Sequence, residues 1–432
     1  MQKQLKVAFI GNIANNFYRE VRALRKYSDI EADLYMERTL NISTTMLPES
    51  DDPNLIKTGY PYWIKLLPKI TCSKISLFHN KYKPPIKYKE VINKLNSYDI
   101  CVCSSHETLL IPFLKTTSIF RVSGSDFTVF PSLSFDEFNT IRSIADDNNN
   151  ILKYSLNLVK YYINRQKYRQ AIYSSSYINV RPAIPYKKVL RKLNINEDKT
   201  IEIFPLTIDT QLFSKKTTSD RVIKNTWNLN KYKFIVFMPS RLMINSSQTN
   251  IDTGQWKASD QAIYAFKIFI DSLPQKEKDK VVMIIPDRSI SDEIIEAKRL
   301  IQSEGLNGNI LFIKGTKHDA LTRHELIDLF SISDVVLDDF GAGWYGSIVV
   351  EAMSCSCPVI TYVNKEIMHN TPWHPLQVAK TKKEISDLLK FLYKNPEKKQ
   401  EIACKSRLWI EEFHSETSVS KNVSISLRQL KI

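Results

Sequence analysis

The sequence predicts an α/β protein with two Rossmann-like domains, each a doubly wound parallel sheet, that face each other across a cleft. Three observations predict this fold class. Short, continuous apolar runs alternate with amphipathic segments, as in parallel sheets covered by helices on both faces. The alternation stops near residue 212 and restarts past residue 230. The chain also has 432 residues, enough for two domains at roughly 150 residues each.

The first half of the chain supplies the strands of one predicted sheet. The run LKVAFIGN is a short strand followed by polar turn residues, and residues 17–27 follow as an amphipathic helix. The segment IEADLYM returns as a strand, and further strands are predicted at YDICVC, TSIFRV and INV. We therefore expect an N-terminal domain over residues 1–212.

The second half repeats the alternation of strand and helix. Strands are predicted at KFIVFMP, VVMIIP, NILFIKG, DVVLDDF and PVITYV, with a helix between each and the next. The polar and charged residues 212–230 separate the two halves as a linker does. We expect a C-terminal domain over residues 213–415.

Composition excludes several classes of protein. The hydrophobic share of 43% and the charged share of 25% are those of a globular protein. No apolar run approaches the roughly 18 residues of a membrane-spanning helix, and the start of the chain is not a secretory signal. We therefore expect a cytoplasmic protein. The six cysteines are too dispersed for a disulfide framework, and Cys101 and Cys103 are expected on one core face of a strand.

The net charge of +15 favours a polyanionic ligand, which can be a nucleic acid, an acidic membrane surface or a phosphorylated molecule. Lysines crowd residues 57–94, where aromatic residues and prolines interleave. This pattern is compatible with peripheral contact to an anionic membrane, and the alternative is a solvated, irregular surface. No nucleic-acid-binding module is recognisable, so we expect no nucleic-acid partner.

The strongest functional pattern spans residues 334–363. A strand ends in Asp338 and Asp339, a loop with three glycines follows, and a helix begins near Tyr345 and Gly346. The open amides of a helix start suit a phosphate group. Glu351, about 1.5 turns into the helix, could accept hydrogen bonds from a ribose diol; the alternative is a solvated helix residue.

Two cations form a second pattern. Arg241 lies just past a strand and Lys257 just before a helix. On adjacent loops they could neutralise a diphosphate leaving group, with arginine suited to bidentate contact and lysine to a point charge. The alternative is that both are ordinary surface cations among 61.

The pattern GxYGxxxxEAMxxxxPVI resembles the C-terminal signature of GT-B glycosyltransferases, in particular the large retaining family 4. The resemblance implies that a donor diphosphate rests on the helix that begins at Tyr345-Gly346-Ser347 and that Glu351 holds the nucleotide ribose. The pattern SR…KxxDxAIxAF is similar to the Arg/Lys pair of the family. It implies that Arg241 and Lys257 act on the leaving group.

The sequence also departs from the family pattern. Gly343 stands where the family commonly has a glutamate, so Asp338 or Asp339 is expected to take over the contact with the donor sugar, unless the loop makes it differently. Ala258 replaces the glycine that usually follows the lysine. The segment around Asp209 and Phe213 resembles the interdomain segment of the family, with a structural role.

The acceptor side is expected in the N-terminal half. RVSGSDFTVFP resembles the HGxDxxxxP segment of the family, with Asp126 matching and Ser123 in place of the histidine. A loop with three asparagines follows the first strand, and His106 follows another strand, where it faces the cleft or serves only in packing. The expected acceptor-side residues are Asn12, Asn15, Asn16, His106, Ser123 and Asp126.

The resemblance implies a glycosyltransferase that retains anomeric configuration and needs no metal. Its co-substrate would be a nucleotide-diphosphate sugar, with no other cofactor, and its acceptor a glycan or lipid-linked glycan of bacterial surface polysaccharide, at the inner face of the cytoplasmic membrane. The last helix, residues 416–432, would pack back on the first domain. A nucleotide-sugar epimerase and a non-catalytic nucleotide-sugar-binding relative remain as alternatives.

Overall fold

The computed structural model describes residues 4–37, 47–68, 86–142, 151–181, 183–244, 247–287, 292–316, 320–365 and 373–430. The contacts divide the chain into two compact units. The first unit comprises residues 1–207 and 416–432, and the second comprises residues 208–415. The chain therefore passes between units after residue 207, five residues before the position expected from the sequence.

A parallel sheet of seven strands organises the described part of the first unit. Its order is β3-β2-β1-β4-β5-β6-β7, and every neighbouring pair is parallel. The strand order reverses direction beside β1, which confirms the predicted doubly wound sheet. The strands are β1 Lys6–Ile10, β2 Glu31–Glu37, β3 Ile64–Leu67, β4 Ile100–Ser104, β5 Thr117–Arg121, β6 Tyr177–Asn179 and β7 Thr200–Ile201.

Alternation along the strands divides the apolar side chains between the two faces of this sheet. Val7 and Phe9 belong to the core cluster on one face, whereas Ala8, Cys101 and Cys103 belong to the cluster on the other face. The prediction that both cysteines are core residues on one face of a strand is therefore confirmed.

The helices of this unit lie between its strands. Their bounds are α1 Asn16–Tyr27, α2 Leu55–Thr58, α3 Ile86–Leu95, α4 Ser125–Thr128, α5 Phe135–Arg142, α6 Ile151–Ser174 and α7 Ile184–Lys192, with 3-10 segments at Ile13–Asn15, Pro48–Ser50, Ser105–Phe113 and Glu197–Lys199. The helix expected at residues 17–27 is confirmed. No helix was predicted at α6, the longest of these helices.

The second unit contains a six-stranded parallel sheet in its described residues, in the order β10-β9-β8-β11-β12-β13. The order again reverses direction at the centre, between β8 and β11. The strands are β8 Phe234–Phe237, β9 Val281–Pro286, β10 Ile310–Ile313, β11 Val335–Leu337, β12 Val359–Thr361 and β13 Gln377–Val378. The five strands predicted in this half are confirmed, and β13 is an addition.

Helices separate these strands as the sequence predicted. They are α8 Asp220–Thr226, α9 Gln248–Asp252, α10 Ser259–Asp271, α11 Gln275–Lys278, α12 Asp292–Ser303, α13 Arg323–Ile332, α14 Ser347–Ser354, α15 Lys382–Lys394 and α16 Pro396–Phe413. The stretch 212–230, read as a linker, contains α8 and belongs to the second unit.

A last helix, α17 Glu416–Gln429, returns to the first unit. Its side chains Val419, Val423 and Leu427 join the same core cluster as Val7. Arg22 of α1 forms an ion pair with Glu416 at the start of α17. None of the described helices is long and apolar enough to cross a bilayer.

Candidate functional site

The candidate site of the second unit lies at the carboxyl end of β11, one of the two central strands. Asp338 and Asp339 follow this strand directly and are buried, with exposed fractions of 5% and 3%. A loop then leads to Gly346, the residue before α14. In open parallel sheets, ligands bind beyond the carboxyl ends of the strands where the strand order reverses. The predicted motif therefore occupies the position where this fold binds ligands.

The carboxylate of Asp339 organises the loop. Its Oδ1 accepts hydrogen bonds from the backbone N–H groups of Gly341 and Ala342, both at 2.9 Å. Its Oδ2 accepts a hydrogen bond from Nζ of Lys257 at 2.5 Å. Asp339 thus joins the loop to the lysine, and both of its carboxylate oxygens are occupied in this arrangement.

Lys257 lies between opposing electrostatic influences. Burial lowers the pKa of its ammonium, but the carboxylates of Asp339 and Asp338 outweigh burial, and the pKa is raised above its usual value. Asp338 accepts a hydrogen bond from the hydroxyl of Ser240, and burial raises the pKa of its carboxyl group. Lys257 therefore carries its positive charge throughout the physiological range.

Arg241 lies in the loop after β8. It is exposed, and its positive charge lowers the pKa of Lys257, which requires the two cations to be near each other. It forms no ion pair with any residue that the structure describes. The charges of the two predicted cations therefore interact, and Lys257 is bound to an acidic partner whereas Arg241 is exposed.

The loop between β11 and α14 contains two positions that favour glycine. A Cβ at Gly341 would lie 2.1 Å from the backbone oxygen of Trp256, so only glycine fits there. Gly343 has a φ of +72°, a conformation that glycine adopts without strain. The backbone oxygen of Gly343 accepts a hydrogen bond from the N–H of Asn364 at 3.0 Å. At position 343, where the family commonly has a glutamate, the backbone of this chain therefore favours glycine.

The start of α14 is open. No described side chain caps it, and a Cβ placed on Gly346 would meet nothing within 4 Å. The first amides of a helix have no partner within the helix, and Ser347 is the first residue of this one. An anionic group can therefore approach these N–H groups from outside.

The side chain of the predicted donor-binding residue Tyr345 is buried. Its ring is 8% exposed and packs against Trp344, Trp409 and His414. Its hydroxyl lies 3.4 Å from Nε2 of His414. The side chain of Tyr345 thus anchors the loop to α16, and its backbone is the part that lies beside the helix start.

Glu351 is 1% exposed. Its Oε1 accepts a hydrogen bond from Arg323 of α13 at 2.8 Å, and the guanidinium of Arg323 lies over the ring of Phe213, 5.8 Å from its centroid. In this arrangement the carboxylate that was expected to hold the ribose serves as the partner of a buried arginine.

The asparagines of the first unit stabilise the turn after β1. Asn12 donates to Oδ1 of Asn15 at 2.9 Å and accepts from the backbone N–H of Tyr18 at 3.0 Å. Asn15 is fully buried and left-handed, with a φ of 62°. Asn16 is the first residue of α1 and is partly exposed. Two of the three asparagines therefore use their side chains within the turn.

A carboxyl cluster lies at the ends of β4 and β5. Asp126 accepts hydrogen bonds from the N–H and hydroxyl of Ser123 and from the N–H of Ser105, and burial raises its pKa to about 6. Burial also raises the pKa of Glu107 to about 7, and the charges of Glu37 and Asp126 add to this effect. Ser123 thus holds Asp126 in place at the position where the family has a histidine.

His106 is exposed. Its Nδ1 lies 2.7 Å from the hydroxyl of Tyr168 on α6, and the ring of Tyr168 stacks on Phe130 at 4.9 Å between centroids. The structure therefore gives His106 a packing contact with α6.

The interdomain segment forms a turn at the start of the second unit. Oδ1 of Asp209 accepts hydrogen bonds from the N–H groups of Gln211 and Leu212 at 2.9 and 3.0 Å. Phe213 is fully buried. Arg407 of α16 donates to the backbone oxygens of Phe213, Ser354 and Thr210, so α16 ties this turn to the end of α14.

Several contributing residues were not found from the sequence. Ser240 directly precedes Arg241, and Trp256 directly precedes Lys257. This closeness in sequence to the predicted cations is the one feature that could have pointed to them. Arg323 is 28 residues from its partner Glu351, and no local pattern marks it. Among the described residues, no group of three histidine, cysteine, aspartate or glutamate side chains could hold a metal ion.

Two comparisons with known proteins gave matches. Residues 254–409 match the family model described as glycosyl transferases group 1. This range includes Lys257, the glycine loop and Glu351. A search of curated protein sequences gave no match.

Solved structures resemble the whole chain. Anabaena Alr3699/HepE in complex with UDP and glucose has a TM-score of 0.64 and 13% identity, and the likeness covers 99% of this chain and 100% of that one. Sucrose-phosphate synthase from Thermosynechococcus elongatus has a TM-score of 0.59 and 12% identity over 99% of both chains. WaaG, a glycosyltransferase involved in lipopolysaccharide biosynthesis, has a TM-score of 0.51 and 12% identity over 97% of this chain and 99% of that one. These likenesses establish the GT-B fold.

Proposed function

We propose that this protein, a glycosyltransferase of the GT-B fold, moves a hexose from a uridine diphosphate sugar to an acceptor hydroxyl. The group of positive charges and free amides at the glycine loop carries the proposal. Arg241 follows β8, Lys257 binds Asp339 just after β11, and the loop after β11 leads to the start of α14 at Gly346. The UDP and glucose bound by the Anabaena relative suggest the donor class.

The diphosphate of the donor would take the position between these groups. Arg241 is open to solvent and suits bidentate contact with phosphate oxygens. Lys257 supplies a second charge, and the amides of α14 supply partial charges. Negative charge gathers on the diphosphate as the glycosidic bond breaks, so these groups stabilise the transition state more than the bound donor.

Asp339 would act as a positioning residue. Because its carboxylate binds both Lys257 and the N–H groups of Gly341 and Ala342, it holds the cation beside the loop. Oδ1 already accepts two hydrogen bonds and Oδ2 accepts one, so the contact that the family glutamate would make at position 343 falls to Oδ2 of Asp339, to Asp338 or to another part of the loop.

We further propose that transfer proceeds with retention and without an obligatory metal, as in family 4. The fixed cations Arg241 and Lys257 support this, since they supply charge that a magnesium ion supplies elsewhere. The relative named for lipopolysaccharide biosynthesis and the net charge of +15 support a role in bacterial surface polysaccharide assembly, with a glycan or lipid-linked acceptor at the inner face of the cytoplasmic membrane.

The test is replacement of the cations, with transfer from UDP-glucose measured in buffer that contains EDTA. We expect the wild-type protein to remain active in EDTA. Lys257→Ala and Arg241→Ala should each lower kcat by about 100-fold or more, as loss of comparable transition-state stabilisation does. UDP affinity, measured by calorimetry, should fall in both variants.

Lys267→Ala provides a matched control. Lys267 lies on α10, forms a 2.5 Å ion pair with Asp271 and is 28% exposed, whereas Lys257 forms a 2.5 Å pair with Asp339 and is 30% exposed. Its replacement should leave kcat unchanged. The proposal is wrong if both cation variants transfer at the wild-type rate. UDP-glucose isomerised without an acceptor would indicate an epimerase, and UDP binding without any turnover would indicate a sensor.

A further inference from the structure

The side chain of Tyr362 lies beside Gly343, in the loop between β11 and α14. A Cβ built on Gly343 would lie 3.2 Å from Cε1 and 3.7 Å from Cδ1 of the Tyr362 ring. The ring therefore restricts the space that is open to a side chain at position 343. Cε1 adjoins the ring carbon that bears the hydroxyl, and it is the closer of the two atoms. The hydroxyl-bearing half of the ring thus lies at the loop.

Hydrogen bonds fix the loop to the end of β12, where Tyr362 stands. The N–H of Tyr362 and the hydroxyl of Thr361 both donate to the backbone oxygen of Asp339 at 3.0 Å. The N–H of Asn364 donates to the backbone oxygen of Gly343 at 3.0 Å. The backbone therefore sets the position of the Tyr362 ring relative to the loop at two points.

The ring of Tyr362 is covered on one face, but its hydroxyl is available. Nζ of Lys380 lies 5.0 Å from the ring centroid, and the ring packs against the core of the second unit. The side chain is nevertheless partly exposed. Its hydroxyl forms no hydrogen bond with any residue that the structure describes. The hydroxyl, which can donate and accept, is therefore the group of Tyr362 that suits a polar ligand.

The loop beside Tyr362 joins two of the groups that would hold the diphosphate. Asp339 at its start binds Lys257, and Gly346 at its end precedes α14. Gly343 stands between these residues, so the phenol borders the segment of chain that runs from the lysine to the helix start. A sugar bonded to the diphosphate extends from the same place, and the groups along this segment are within its reach.

We propose that Tyr362 is a specificity-determining residue whose hydroxyl forms a hydrogen bond with a hydroxyl group of the transferred sugar. The inference rests on the proposed function, because the diphosphate places the sugar that is bonded to it. The phenol adds a neutral donor and acceptor to the contacts expected of the aspartates and the loop. A site that hydrogen-bonds a substrate hydroxyl rejects an analogue without it, because the polar group of the protein is then left unpaired.

The test is calorimetry of UDP and of UDP-glucose with the wild-type chain and with Tyr362→Phe. This change removes the hydroxyl and keeps the ring that packs against the core. We expect the variant to bind UDP-glucose about fivefold more weakly, as the loss of one hydrogen bond does. Its affinity for UDP, which lacks the hexose, should equal that of the wild-type protein.

Donor analogues that each lack one hydroxyl of the glucose identify the contact. UDP-glucose is replaced in turn by its deoxy analogues at C2, C3, C4 and C6. With one analogue the wild-type protein and Tyr362→Phe should have the same affinity, because the partner of the phenol is absent. With the other three the difference should stay at about fivefold, since independent contacts add.

Tyr264→Phe provides a matched control. Tyr264 is also partly exposed, and Nζ of Lys382 lies 5.1 Å from its ring centroid. It stands within α10 and not at the carboxyl end of a strand. The control variant should bind UDP and UDP-glucose as the wild-type protein does.

The inference is overturned if Tyr362→Phe binds UDP-glucose as tightly as the wild-type protein. It is equally overturned if the affinity for UDP falls by the same factor, because the change would then act on the diphosphate. A difference that persists with all four deoxy analogues overturns it as well. A wild-type protein that binds neither UDP nor UDP-glucose contradicts the proposed function itself, so the two failures give different results.

Discussion

Single residues at the glycine loop have roles that differ from those of the family pattern. Asp339 follows the strand as the motif predicted, yet its carboxylate is used to hold Lys257 and the loop amides. Ala258 stands where the family has a glycine and adopts a left-handed conformation, with a φ of 52°. Its methyl group is buried. The backbone at this position therefore has a conformation that favours glycine, and alanine adopts it at some cost in strain.

The carboxyl group of Glu107 makes stability depend on pH. Its pKa is raised from 4.5 to about 7 by burial. Between these values the unfolded chain ionises while the folded chain keeps its proton, so the free energy of unfolding falls as the pH rises through this window. Glu107→Gln removes this dependence. We expect the variant to gain about 3 kcal/mol relative to the wild-type protein across the window, as measured by urea unfolding at a series of pH values.

Glu90→Gln serves as the control for this titration, because the side chain of Glu90 is 81% exposed. Its stability should follow that of the wild-type protein at every pH. A constant difference between Glu107→Gln and the wild-type protein across the window would contradict the prediction.

At the scale of elements, local sequence predicts some parts of the structure better than others. The strand, loop and helix from β11 to α14 follow from continuous apolar runs broken by glycines. Helix α6 was not identified, because Leu156, Val159 and Tyr162 add apolar residues on the solvent side and obscure the amphipathic period.

Helix α16 secures the turn that begins the second unit. Arg407→Ala removes the donors to the backbone oxygens of Phe213, Ser354 and Thr210. Carbonyl groups left without a partner destabilise a protein by about 1–3 kcal/mol, so we expect a loss of this size in urea unfolding. Lys405→Ala, which breaks only an exposed pair with Glu401 on the same helix, should have nearly no effect. Equal losses in the two variants would show that the guanidinium does not hold the turn.

At the scale of the whole molecule, the chain does not fold as two consecutive segments. Residues 416–432 belong to the first unit although they follow the second in sequence. Helix α17 joins the core cluster that contains Val7 of β1. The first unit is therefore complete only when residues 416–432 have joined it.

Removal of one side chain tests this dependence. Leu427 is fully buried, whereas Ile425 on the same helix is 48% exposed. Leu427→Ala should destabilise the protein by about 2–5 kcal/mol through lost burial and a cavity, as measured by urea unfolding. Ile425→Ala should change stability by less than about 0.5 kcal/mol. If both variants are equally stable, α17 does not contribute to the core of the first unit.

The sequence by itself determined the fold class, most strands, the two cations and the glycine loop. These features are local. Apolar residues recur every two positions in a strand and about every 3.6 in a helix, and the backbone freedom of glycine affects only its immediate neighbours. Only the tertiary structure decided that Arg323 takes Glu351 as its partner and that Asp339 takes Lys257. These partners are 28 and 82 residues apart, and a contact across that distance depends on how strands and helices pack, which no local pattern encodes.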